Sequence, residues 1–143
     1  MRPTKIGKIL GSATVWSGLT LAAFGADVRV IANPNVRAST LSTDELKSIF
    51  LETKTSLSDG SHVEPVVLRS GDVHHAFVSQ FLGKTDAALE TYYRTLVFTG
   101  RGLMPKALAS DDEMVRYVAK TKGAVGYVSA TAPVTGVKIV AIK

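Results

Sequence analysis

The chain has no cysteine. That excludes disulfides, an acylated N-terminal lipoprotein cysteine, and any thiolate nucleophile or thiolate metal ligand. Histidine is also scarce, with three in 143 residues. His74 and His75 are adjacent, and neighbours on a helix point about 100° apart, so the pair does not suit one shared metal ion and reads as exposed at a helix start. His62 sits alone in a loop. No serine occupies the strained strand-to-helix elbow that exposes a hydrolase nucleophile, and no pair of carboxylates stands apart for acid–base work. Asp111, Asp112 and Glu113 are explained as the first turn of a helix. The residues predict a non-catalytic protein with no cofactor and no metal.

Charge is missing from one long stretch. Ile9 to Phe24 carries none, and Arg2, Lys5 and Lys8 precede it without an acid. A cationic start, an apolar run and small residues at Ala23 and Gly25 form the pattern of a cleavable secretory signal peptide over residues 1–25, cut after Gly25. The alternative is an uncleaved anchor, although a spanning helix needs about 20 apolar residues and this run has 16 with Ser and Gly inside it. Export places residues 26–143 in the periplasm or outside the cell as one domain, held by packing alone. The whole chain has 17 Lys+Arg against 12 Asp+Glu. Loss of the three N-terminal bases leaves 14 against 12, a formal +2, with the bases dispersed among acids. The basic pI of about 9.6 therefore does not indicate nucleic-acid binding.

Residues 28–32 are a short β-rich run, read as a strand, that stops at Asn33-Pro34-Asn35. Ser42 with Glu45 three residues later is a capping box, opening a helix that turns Leu46, Ile49 and Phe50 to one side. A strand over 65–68 ends at Arg69, and a helix spans 72–82 with Val73, Ala76, Phe77 and Phe81 inward. Thr85-Asp86 starts a third helix, with Leu89, Tyr92 or Tyr93, Leu96 and Val97 inward and Phe98 at the rim of the core. The Thr99-Gly100-Arg101-Gly102 stretch ends it. Ser110 opens a fourth helix that closes at Gly123, followed by strands over 125–128 and 137–142. The order β-α-β-α-α-α-β-β predicts an α/β fold, a small sheet flanked by helices.

Three stretches in register carry a resemblance: LSTDELKSIFL at 41–51, VVLRS at 66–70 and TKGAVGYV at 121–128. They resemble the second lobe of the phosphate ABC transporter substrate-binding proteins, two-lobed type II periplasmic binding proteins. The resemblance implies one Rossmann-like lobe of mixed sheet, a small inorganic anion such as phosphate as ligand, and a membrane transporter or sensor protein as partner. It also implies that Arg69 reaches the anion. This chain departs from the family in having one lobe, and the Ser-Gly-Thr triplet expected after the arginine falls on Val73-His74-His75. The candidate anion site is thus Arg69, Ser70 and Gly71 at a helix start, with His74, His75 and Arg101 beside them. A competing reading pairs Arg69 with Asp72 on the surface and makes Ser70 a simple cap. A lobe without its partner lobe is alternatively an interaction module that docks another protein or a second copy.

Overall fold

A computed structural model describes residues 27–143; the expected signal peptide and its cut lie outside them. Six strands form one mixed sheet. They are β1 (Val28–Ala32), β2 (Thr40–Leu41), β3 (Glu64–Leu68), β4 (Lys106–Leu108), β5 (Ala124–Ser129) and β6 (Lys138–Ile142), in the spatial order β2-β6-β1-β5-β3-β4. Only β1 runs against its neighbours: it is antiparallel to both β5 and β6, whereas β3 is parallel to β4 and β5, and β2 is parallel to β6. Five strands therefore end at one edge of the sheet, the edge where α/β folds hold ligands.

The helices are α1 (Thr43–Phe50), α2 (Asp72–Phe77), α3 (Asp86–Phe98) and α4 (Asp111–Lys120). The α2 helix widens without a break into a π-helical turn over Val78–Leu82, ended by Gly83 in the left-handed conformation. The predicted caps form as read: Ser42, Thr85 and Ser110 accept the backbone N–H of Glu45, Ala88 and Glu113.

The two faces of β5 divide the core. Tyr127 points to the side of α1 and α2, where its ring stacks on Phe77 with centroids 3.8 Å apart and Phe77 meets Phe50 edge-on at 4.7 Å. All three are fully buried. Gly126 faces α4, and a Cβ there would stand 2.5 Å from Met114 Sδ, so the missing side chain is what lets α4 lie close to the sheet. Tyr92 and Tyr93 donate their hydroxyls to the carbonyls of Leu51 and Phe50, both at 2.6 Å, tying α3 to the end of α1.

Three sequence expectations change. Strands β2 and β4 are additional; at two and three residues they have too little pattern to read, and pairing with longer neighbours holds them. Val97 and Phe98, expected inward and at the rim, are 48% and 93% exposed, because the last turn of α3 runs past its packing partners. His74, expected at an exposed helix start, is buried.

Candidate functional site

The β3 strand delivers its last side chain into the core with Leu68, and Arg69 is the first residue beyond it. Leu68 and Leu108 pair across β3 and β4, and the Arg69 N–H donates to the Leu108 carbonyl at 2.9 Å. Both chains then turn into helices from the same edge. Arg69, Ser70 and Gly71 are exposed. Arg69 makes no ion pair with Asp72 or any other carboxylate among the described residues.

Gly71, not Ser70, is the cap residue of α2. It sits at φ 104°, ψ 173° and offers no side-chain acceptor. The N–H groups of Asp72, Val73 and His74 in the first turn therefore have no acceptor from a capping side chain. Helix starts leave such donors free and carry partial positive charge. Together with the Arg69 guanidinium they can hold an oxyanion by charge-assisted hydrogen bonds.

His74 does something else. Its Nδ1 lies 2.5 Å from the Tyr127 hydroxyl, which accepts the Leu68 N–H at 3.0 Å. The Leu68 amide can only donate, so the arrangement that satisfies every atom sends the Tyr127 proton to Nδ1 and leaves His74 neutral with its proton on Nε2. Burial lowers the His74 pKa from 6.5; the Asp86 carboxylate opposes this, and His75 adds to it. Burial likewise pushes the Tyr127 hydroxyl well above its ordinary value. This buried chain of hydrogen bonds ties α2 to the end of β3, immediately beside Arg69.

Behind Arg69 a cavity of about 250 Å³ lies between β3, β4 and α3. Arg69, His74, Asp86 and Glu90 line it, and Val67, Leu89 and Tyr93 contribute walls, closed by Met104, Pro105 and Ala107. Asp86 Oδ1 is buried without a hydrogen-bond partner, with His75 Nδ1 at 3.5 Å. Glu90 pairs with Arg94 on the outer side of α3.

Of the six residues singled out in the sequence, the structure brings Arg69, Ser70 and Gly71 together, places His74 inward beside Arg69, and turns His75 outward to Asp86. Arg101 is not brought to them. It precedes β4, its N–H bonds the Leu96 carbonyl, and the adjoining Gly102 packs on Glu52. Arg101 is absent from the residues that line the cavity beside Arg69. Sequence reasoning missed Asp86, Glu90 and Tyr127. The first two were readable from the 86–89–90–93 stripe on α3, a helical repeat with two acids in an otherwise apolar row; nothing local marks Tyr127. Among the described residues no cluster of His, Asp and Glu is able to hold a metal.

No protein-family model and no curated protein matches the chain. Solved structures do. The chain is similar to an ABC-type phosphate transport receptor from Vibrio cholerae, with TM-score 0.63 and 15% identity over 81% of this chain and 46% of that one. It is similar to PstS from Borrelia burgdorferi, with TM-score 0.60 and 11% identity over 82% and 47%. A third is a putative phosphate ABC transporter substrate-binding protein with bound phosphate from Clostridium perfringens, with TM-score 0.59 and 15% identity over 81% and 44%. The fold is the periplasmic-binding-protein fold. The chain spans a little under half the length of each of these proteins.

Proposed function

We propose that the protein is an exported, non-catalytic binding protein that takes a small oxyanion at the end of β3. Arg69 supplies the charge and the first amides of α2 supply neutral donors. The observation that carries this reading is the pairing of an arginine free of carboxylate partners with an adjoining helix start that no side chain caps. The likeness in fold to phosphate-transport receptors supports it and makes phosphate the first anion to test. On this reading a membrane transporter or a sensor protein receives the loaded form. Calorimetric titration of the full-length chain with phosphate, sulfate and a simple carboxylate tests the site. Binding that weakens at least about tenfold in Arg69→Ala is expected; no heat from any of the three up to millimolar concentration would contradict it.

Export through residues 1–25 belongs to the same proposal. It rests on the cationic start and the uncharged run that follows it. N-terminal sequencing of the secreted or periplasmic protein should read Ala26 first; recovery of intact Met1 in the membrane fraction contradicts it.

A second reading, an interaction module that self-associates, has its own observation. Phe98, Leu103 and Met104 are 93%, 77% and 51% exposed, and large exposed apolar side chains are candidates for burial against a partner. Light scattering that gives a dimer in the parent and a monomer in Phe98→Ser favours this reading. A monomer in both argues against it.

A further inference from the structure

The cavity behind Arg69 has the wrong electrostatics for a bare inorganic dianion. Besides Arg69 it presents two carboxylates, Asp86 and Glu90, and a histidine kept neutral by its bond from Tyr127. A multivalent anion moving inward from Arg69 approaches like charge. The walls between the charged groups are apolar, formed by Val67, Leu89, Met104 and Pro105. One cationic group and two anionic groups, of which Glu90 is also paired with Arg94, flank an apolar surface and suit a ligand with both charges and a hydrocarbon body.

Asp86 strengthens the point. Its Oδ1 is removed from solvent yet accepts no hydrogen bond. The side chain as a whole is 43% exposed, so the rest of the carboxylate is open to the cavity it lines, and an entering ammonium group would pair with it. His75 Nδ1 stands 3.5 Å from that Oδ1, beyond good hydrogen-bond distance. The volume of about 250 Å³ lies below the range of roughly 300–1,000 Å³ usual for drug-sized ligands, which restricts the occupant to a small metabolite.

We infer that the oxyanion taken by Arg69 is the carboxylate of a small aliphatic α-amino acid, with its ammonium group received by Asp86 and Glu90 and its side chain lying against Leu89 and Met104. This rests on the oxyanion reading of Arg69 and names the ligand class for it. No bond is made or broken; the event is binding alone.

The test is a calorimetric comparison on the full-length chain with four probes: L-leucine, 4-methylpentanoate, which lacks the amine, 3-methylbutylamine, which lacks the carboxylate, and inorganic phosphate. Leucine should bind at least about tenfold more tightly than either half-ligand. Asp86→Asn and Glu90→Gln, both at partly exposed side chains, should reduce leucine binding while leaving 4-methylpentanoate bound as tightly as before or more tightly, since a repelling charge is removed. Equal affinity for leucine and 4-methylpentanoate, or leucine binding indifferent to Asp86→Asn, overturns the inference. Arg69-dependent phosphate binding with no response to leucine overturns it too and leaves the oxyanion reading standing. Silence from phosphate, 4-methylpentanoate and leucine together overturns both.

Discussion

Two helices start side by side from the same edge of the sheet, and they are finished in opposite ways. At the end of β4 the chain closes on itself. Ser110 accepts the Glu113 N–H, the Glu113 carboxylate accepts the Ala109 N–H at 2.9 Å, and the Asp111 carboxylate accepts the Ser129 N–H at 3.3 Å. Donors are engaged and three acids repel any anion. At the end of β3 the chain stays open: an arginine, a glycine at positive φ and no capping side chain. The first arrangement is one a fold uses to stabilise a helix; the second leaves its donors for a group from outside. Equivalent positions in the topology thus carry different tasks, and the difference lies in a handful of residues.

The largest effect expected on this contrast comes from the anchor that positions the open end. Tyr127→Phe removes the hydroxyl that bonds both the Leu68 N–H and His74 Nδ1. It should cost about 2–4 kcal/mol in chemical denaturation and weaken anion binding as α2 loosens. A loss below about 1 kcal/mol would show that the hydrogen-bond chain does not hold α2. Gly71→Ala comes next. At φ 104° a Cβ meets no neighbour, so the penalty is backbone strain, about 1–2 kcal/mol, with the binding loss exceeding the stability loss. Ser110→Ala on the closed helix should cost about 1 kcal/mol of stability and leave anion affinity unchanged. An equal effect of these two substitutions on binding would erase the distinction between the helix starts.

The smallest effect is on pH dependence. His74 is buried and its folded pKa lies below 6.5, so the unfolded chain takes up the proton first. Its contribution to stability is full above about pH 6.5, falls as pH drops below that value, and levels off beneath the folded pKa. The slope from this one group is at most about 1.4 kcal/mol per pH unit. Urea midpoints between pH 7.5 and 5 should show the fall in the parent and a flatter profile in His74→Gln, whose side-chain carbonyl is able to accept from Tyr127 without titrating. Parallel profiles would mean that His74 is not the group responsible.

Most of the architecture is legible in the sequence because its signals are local. Ser42, Thr85 and Ser110 mark helix starts within four residues, and the apolar runs ending in Leu68 and Val128 mark buried strands. What stays hidden depends on distant partners. The β4 strand has three residues and exists through β3, and Arg101, which looks like a companion of Arg69 in the sequence, does not line the cavity beside it. His74 reads as an exposed helix-start residue until Tyr127, 53 positions away, draws it inward. The open site is therefore half readable: Arg69, Ser70 and Gly71 form one contiguous stretch, whereas Asp86 and Glu90 join them only when α3 folds over β3.

The claim that the end of β3 is open to an oxyanion while the end of β4 is closed is tested most directly by amide chemical shifts. The full-length protein would be titrated in turn with phosphate, sulfate and L-leucine. The account predicts saturable shifts at Gly71, Asp72 and Val73 for at least one of them, abolished in Arg69→Ala, with Ser110, Asp111 and Glu113 unmoved. Shifts centred on α4, or none at α2 with any of the three, would contradict it.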